Sequence, residues 1–134
     1  MKTSSLILVV DDNDAGQLLV RTVLELEGFR VDSASSSQEV LDRLNVRKPD
    51  LILMDVQLPG QDGLALTRQL NADPSTDAIP VVALTANAMA GDREQALAAG
   101  CIGYISKPID TRILGDQVRE FLSAERLGSS VLVE

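Results

Sequence analysis

The chain has 134 residues, of which 45% are hydrophobic and 24% are charged, enough for one folded domain but not for two. Its net charge of -8 argues against direct contact with nucleic acid or with anionic lipid, because both partners require a basic face. With no histidine and one cysteine, any chemistry must use carboxylates, hydroxyls, lysine and backbone groups, and no intramolecular disulfide can form.

Five short apolar runs along the chain predict β-strands. They cover residues 6–10, 29–31, 51–54, 80–84 and 102–105. Four of them are dominated by Val, Ile and Leu, which is typical of strands that are buried on both faces of a sheet. The run at 29–31 is more mixed and predicts an edge strand.

Amphipathic stretches between these runs predict helices. In the first helix, a shared apolar face is predicted for Leu18, Leu19, Thr22, Val23 and Leu26. Gly28 is placed to end this helix in a left-handed conformation. Residues 36–39, with the sequence SSQE, form a capping box that opens a second helix carrying Val40, Leu41 and Leu44.

Three further helices follow the third, fourth and fifth runs. Leu64, Leu66 and Leu70 mark the third helix, and residues 96–99 followed by Gly100 mark the fourth. The last begins near Asp110 as its N-cap and carries Ile113, Leu114, Val118, Phe121 and Leu122.

The alternation of strand and helix, repeated five times, predicts an α/β fold. We expect a (βα)5 doubly wound, five-stranded parallel sheet with helices on both faces, joined by right-handed crossovers. The domain is predicted to span residues 5–126, with residues 127–134 as a short tail and no output domain. Binding sites in such sheets lie at the carboxyl ends of the strands.

Polar residues follow four of the predicted strands at that edge. They are Asp11, Asp12, Asp55, Thr85 and Lys107. Taken singly, the acids and the threonine are ordinary helix caps or turn formers, and the lysine is an ordinary surface residue. Together, acids, a hydroxyl and an ammonium group at one edge indicate a shared chemical task.

Three carboxylates held close together repel one another unless a cation lies among them. Oxygen ligands without histidine or thiolate select a hard ion, so Mg²⁺ is the expected cofactor. A carboxylate beside Mg²⁺, a lysine and a threonine hydroxyl is an arrangement suited to phosphoryl transfer onto aspartate. The chain has no Gly-rich phosphate loop, so ATP is not the obvious donor.

The sequence resembles a response-regulator receiver domain of two-component signalling over about residues 5–126. The segments LVVDDND, PDLILMDVQLPGQDG, PVVALTANAMAGDRE and AGCIGYISKP, with the helix after them, occur in the order and spacing of that family. The resemblance is strongest to single-domain receivers and to receivers of hybrid kinases. It implies a flavodoxin-like fold with strand order 2-1-3-4-5.

The resemblance also implies roles for the residues at the strand ends. Asp55 would accept a phosphoryl group from a phosphohistidine on a sensor histidine kinase or a histidine phosphotransfer protein. Asp12 and Asp55 would bind Mg²⁺ through their side chains and Gln57 through its backbone carbonyl, with Asp11 acting mainly through water. Mn²⁺ is expected to substitute. Lys107 would contact the phosphoryl group, and its peptide bond to Pro108 is expected to be cis.

Two further pairs of residues carry implied roles. Thr85 and Tyr104 match the family's switch pair, which would change the surface of helix 4, strand 5 and helix 5 for a downstream protein partner. Gln57 and Asn87 occupy the positions that influence the lifetime of the phosphoryl group. Both are amides, so we expect an intermediate lifetime.

The resemblance and the composition together predict a cytoplasmic signalling module rather than an enzyme. Only Mg²⁺-dependent self-phosphorylation and autodephosphorylation are expected, in a monomer or weak dimer that contacts neither nucleic acid nor membrane. One alternative is a Mg²⁺-dependent phosphatase or phosphotransferase acting on small molecules, but Gln57 stands where such enzymes commonly carry a second aspartate. A flavodoxin-like cofactor binder is the other alternative, and the first strand-to-helix turn is too acidic for a flavin phosphate.

Overall fold

A computed structural model describes residues 5–58, 61–86, 91 and 93–126. Five parallel strands form one sheet: β1 (Leu6–Val10), β2 (Arg30–Ala34), β3 (Leu51–Asp55), β4 (Val81–Thr85) and β5 (Gly103–Ser106). Their order across the sheet is β2-β1-β3-β4-β5, with β2 at one edge. The predicted fold class, strand order and edge strand are therefore confirmed.

Five helices connect or follow the strands: α1 (Asp14–Leu26), α2 (Ser37–Val46), α3 (Gly63–Ala72), α4 (Arg93–Ala99) and α5 (Leu114–Arg126). Helices α1 and α5 pack on one face of the sheet, and α2, α3 and α4 pack on the other. Alternate residues of β1 point to the two faces, with Leu8 in one cluster and Val9 in the other. This two-sided burial is why the strands consist of continuous apolar runs.

A short antiparallel ladder after β3 was not predicted from the sequence. It pairs Gln57–Leu58 with Gln61–Asp62 and leads directly into α3. The ladder brings the chain back over the end of β3, where the backbone N–H of Gly63 donates to the carbonyl of Val56 at 3.0 Å. It therefore lies at the edge of the sheet where the functional residues were expected.

The apolar face predicted for α1 packs on the sheet only through Val23, which lies against the core. Val20 and Leu24 are buried, whereas Leu18, Leu19 and Leu26 are 64%, 44% and 83% exposed. Helix α1 has apolar residues on more than one side, so periodicity alone does not choose the side that faces the sheet. Gln17, in the first turn, bonds to the ends of β1 and β2 and lies on the same face as Val20 and Leu24.

The helix ends largely follow the expected signals. Gly28 and Gly100 have φ values of +96° and +110°, as left-handed C-terminal residues should. The Ser36 side chain caps α2 by accepting from the N–H of Glu39 at 3.2 Å. Glu39 differs from a standard capping box, because its carboxylate accepts from the N–H of Ser35, one residue earlier, at 2.7 Å.

The start of the last helix differs from the prediction by one turn. The carbonyl of Asp110 accepts from the N–H groups of Ile113 and Leu114 at 3.2 and 3.1 Å, and its side chain accepts from the N–H of Arg112. Asp110 thus caps a short turn over residues 111–113, and α5 begins at Leu114. None of the helices in the described parts of the chain combines the length and hydrophobicity that a bilayer crossing requires.

Candidate functional site

Three acids from two adjacent strands meet at the carboxyl edge of the sheet. Asp55 is the last residue of β3, and Asp11 and Asp12 directly follow β1, its neighbour in the sheet. One carboxylate oxygen from each lies within 4.8 Å of the other two. The prediction that these strand ends converge rested on parallel strands sharing one carboxyl edge, and the geometry agrees with it.

Lys107 places an ammonium group against two of these acids. Its Nζ lies 3.2 Å from Oδ2 of Asp55 and 3.6 Å from Oδ2 of Asp11. The lysine follows β5, two strands away from β3, so its side chain reaches along the edge of the sheet. Its backbone N–H donates to the carbonyl of Thr85 at 2.8 Å, which ties the loop to β4.

The carboxylate of Asp55 is held in a desolvated position. The residue is 5% exposed, and its Oδ1 accepts from the backbone N–H of Gln57 at 2.9 Å. Burial raises the pKa of Asp55, and the charge of Asp11 adds to that effect. The N–H of Gln57 and the ammonium of Lys107 oppose it. The anion is therefore only partly compensated, as expected for a carboxylate prepared to bind a cation or attack an electrophile.

The two acids after β1 differ in environment. Asp11 is buried, and its Oδ1 accepts from the backbone N–H of Asn13 at 2.9 Å, whereas Asp12 is exposed. Asn13 also caps α1, because its Oδ1 accepts from the N–H of Gly16 at 2.8 Å. The site therefore has one acid fixed within the fold and one open to solvent, where an ion can enter.

The predicted switch residues lie on the two strands farther along the sheet. Thr85 ends β4 and is 1% exposed, in register with Ser106 of β5. Tyr104 is half-buried on β5, in register with Ala83. Tyr104, Ile113 and Gln117 line a cavity of about 170 Å³ between β5 and the start of α5. The peptide bond between Lys107 and Pro108 is cis.

The structure describes only one of the two amide residues predicted to influence the lifetime of the phosphoryl group. Gln57 is exposed and lines a cavity of about 400 Å³ that also borders Asp62 and Gln95 of α4. Asn87 lies outside the described residues.

Two residues of the site were not found from the sequence. Gln17 donates through its side-chain Nε2 to the carbonyl oxygens of Asp11 and Ala34, and Gly63 lies against the backbone of Asp55. The first gave no signal in the sequence, because periodicity does not identify the side of α1 that faces the sheet. Gly63 lies eight residues after the end of β3 and gave no signal of its own.

Comparison with known proteins identifies a family with this arrangement. Residues 7–119 match the model of the response regulator receiver domain. Polar-differentiation response regulator DivK of Brucella ovis is 40% identical over 116 residues, which are 87% of this chain and 94% of the relative.

Solved structures agree with this family. The receiver domain of sensor histidine kinase PA1611 from Pseudomonas aeruginosa, described with a magnesium ion coordinated in its active site cleft, is 33% identical with a TM-score of 0.81. The alignment covers 90% of this chain and 98% of that one. Chemotaxis response regulator CheY4 of Vibrio cholerae, at 23% identity and a TM-score of 0.82 over 88% of this chain and 98% of its own, shares the fold. The chain therefore belongs to the response regulator receiver domain family and is a phospho-accepting module of two-component signalling.

Proposed function

We propose that Asp55 is the phospho-acceptor and that it takes the phosphoryl group from a phosphohistidine on a sensor histidine kinase or histidine phosphotransfer protein. The observation that carries this proposal is the meeting of the Asp11, Asp12 and Asp55 carboxylates with the ammonium of Lys107 at one edge of the sheet. Asp11 and Asp55 are both buried, and of the two it is Asp55 that has a raised pKa and accepts a hydrogen bond from Lys107 at 3.2 Å.

The donor set fits Mg²⁺. All three side chains offer oxygen, and the chain has no histidine that would favour a softer metal. We assign side-chain ligation to Asp12 and Asp55, a third protein ligand to the carbonyl of Gln57, and a water-mediated contact to Asp11, with Mn²⁺ able to substitute. When bound, the ion neutralises negative charge on the phosphoryl oxygens and lowers the repulsion among the acids.

The chain's own residues carry the transfer step. An oxygen of Asp55 attacks phosphorus in line, so that an O–P bond forms as the N–P bond of the donor breaks and its electron pair returns to the donor imidazole. Burial of Asp55 removes water that would weaken the attacking anion. Lys107, already between Asp55 and Asp11, is placed to contact the transferred group without a large movement. Self-phosphorylation and autodephosphorylation are the only reactions we assign.

We assign the readout to Thr85 and Tyr104. The hydroxyl of Thr85 would move toward the phosphoryl group, and the ring of Tyr104 would turn inward to fill the space that this leaves. The ring of Tyr104 lines a cavity of about 170 Å³ between β5 and the start of α5, so space is available beside it. This change would alter the surface of α4, β5 and α5 for a downstream protein partner. Gln57 and Asn87 would set an intermediate phosphoryl lifetime by orienting water.

We place the phosphodonor over α1. Leu18 and Leu19 are exposed on this helix, and Leu19 lines a cavity with Asp11, Lys107 and Ile109, so an apolar patch borders the site. Such a patch on a soluble domain marks a protein contact. The module is proposed to work in the cytoplasm as a monomer or weak dimer, with residues 5–126 as the receiver domain and 127–134 as a tail.

Incubation with acetyl phosphate and Mg²⁺, followed by intact mass measurement, tests the acceptor. We expect the gain of one phosphoryl group in the native chain and no gain in Asp55→Asn. Asp14→Asn, which removes an exposed acid from the first turn of α1, is the matched control and should still be phosphorylated. No gain in the native chain, even with sensor kinases supplied, or a gain retained in Asp55→Asn, would contradict the assignment.

A further inference from the structure

The side-chain amide of Gln17 joins the first turn of α1 to the ends of two strands. Its Nε2 donates to the carbonyl oxygen of Asp11 at 2.9 Å and to that of Ala34 at 3.0 Å. The same Ala34 oxygen accepts from the backbone N–H of Asp11 at 3.1 Å. Both neighbours of the amide are acceptors, so its nitrogen and not its oxygen must face them, and its two hydrogens are both used.

The bond to Asp11 acts on the peptide group that links the two acids. The carbonyl of Asp11 and the N–H of Asp12 belong to one planar unit, so holding the carbonyl fixes the direction in which the chain leaves toward Asp12. Asp11 is also held at its N–H by Ala34 and at its Oδ1 by the N–H of Asn13. Asp12 is exposed, and its carboxylate depends on this backbone for its position.

The base of this contact is rigid. The backbone N–H of Gln17 donates to the carbonyl of Asn13 at 2.9 Å, inside the capped first turn. Further along the same face of α1, Val20 and Leu24 are 2% and 0% exposed, so the helix cannot rotate without opening the core. Gln17 therefore transmits the fixed position of α1 to the loop that carries Asp11 and Asp12.

We infer that Gln17 is a positioning residue for the divalent cation, an inference that rests on the proposed Mg²⁺ site. It does not ligate the ion but sets the relative orientation of the two carboxylates that precede α1. Residues that hold metal ligands in place typically change metal affinity by 10- to 100-fold when they are replaced. Gln17 supplies two hydrogen bonds, of which one reaches the ligand loop directly, so we expect the lower end of that range.

Mg²⁺ titration of the unphosphorylated protein tests this inference. The chemical shifts of the Asp12 and Asn13 backbone amides report binding without any activity measurement. In Gln17→Met, which has similar length but no donor, we expect the Mg²⁺ dissociation constant to rise about 10-fold. Gln17→Asn, which keeps the amide but shortens its reach, should show the same rise. Gln38→Met is the matched control, because Gln38 is an exposed amide that bonds to Asp42 on α2.

The control measurements separate positioning from simple stabilisation. A lower melting temperature in EDTA with an unchanged dissociation constant in both Gln17 variants would overturn the inference, as would an equal rise in Gln38→Met. If neither Gln17 variant folds, the inference is tested on the native chain. There the side-chain amide protons of Gln17 should exchange with solvent more slowly than those of Gln38, and their chemical shifts should change when Mg²⁺ binds. Equally fast exchange, or no shift, would overturn it. If the native chain does not bind Mg²⁺, the proposed metal site fails instead.

Discussion

The backbone of Asp55 is in contact with a glycine that begins α3. A Cβ at Gly63 would overlap the carbonyl oxygen of Asp55 and lie 3.1 Å from Cα of Val56. The obstructing atoms are backbone, so they cannot turn aside as the end of a flexible side chain would. Glycine at this position therefore allows the chain after the short ladder to approach the end of β3 while Asp55 keeps its place.

Gly63→Ala is expected to lower the free energy of unfolding by about 1–3 kcal/mol, because overpacking forces backbone shifts. The same shift should displace Asp55 and slow phosphorylation by acetyl phosphate. Gly28→Ala is the control, since Gly28 has a φ of +96° but no atom within 4 Å of the added Cβ. It should cost stability through backbone strain and leave the phosphorylation rate unchanged. The phosphorylation rate is measured by intact mass against time. If it is unchanged in Gly63→Ala, the close contact between Gly63 and the backbone of Asp55 does not position Asp55.

Residues of the site were predictable where their position follows from strand topology. Asp55 ends a strand, Asp11 and Lys107 each come directly after one, and parallel strands bring such positions to one edge. Gln17 and Gly63 were not predictable in this way. Their roles depend on the reach of one side chain to another strand's carbonyl, and on a close approach of backbone that three-dimensional coordinates alone reveal.

At the scale of elements, periodicity predicted all five helices, but not which side of α1 is buried. Leu18 and Leu26 recur with helical spacing, yet they are exposed, and Val20 and Leu24 fill the core. The sheet-facing side is the one on which Val20 and Leu24 enter the core and from which Gln17 bonds to the ends of β1 and β2. An apolar stripe in a sequence therefore predicts a helix, but it does not tell whether that stripe packs against the core or against another protein.

The N-terminus of α2 carries a charge-assisted contact with a measurable pH dependence. The carboxylate of Glu39 accepts from the N–H and the hydroxyl of Ser35 at 2.7 and 2.9 Å. These hydrogen bonds lower the pKa of Glu39 below its ordinary value of 4.5. Since the folded pKa is lower than the unfolded one, the stabilisation is fully present above about pH 4.5 and is lost as the pH falls through the folded pKa.

Glu39→Gln is expected to lower the free energy of unfolding by about 0.5–1 kcal/mol at pH 7, as for other helix-capping contacts at the surface. The difference from the native chain should shrink as the pH falls below 4.5, the ordinary value. Urea unfolding at a series of pH values measures it, with Glu120→Gln on α5 as a control for the loss of an exposed acid. If the difference in free energy of unfolding stays constant from pH 7 to pH 3, the charge of Glu39 does not cause it.

At the scale of the molecule, the site brings together side chains from strands that are not all neighbours in the sheet. The acids come from β1 and β3, and Lys107 follows β5 at the far edge of the sheet. The chain already carries a net charge of -8, and three of its acids are concentrated within 4.8 Å of one another. The ammonium group of Lys107, shared between Asp55 and Asp11, compensates only part of that charge. A cation bound at this edge would therefore stabilise the folded state.

Mg²⁺ should therefore raise the melting temperature. A ligand that binds only the folded state stabilises it by about 1.4 kcal/mol at ten times its dissociation constant, which corresponds to about 5 °C for a domain of this size. Thermal unfolding with and without millimolar Mg²⁺ at matched ionic strength measures the shift and excludes general screening. Asp55→Asn loses one ligand and should show a much smaller shift. An unchanged melting temperature in the native chain, or an equal rise in the variant, would contradict a cation shared by Asp11, Asp12 and Asp55.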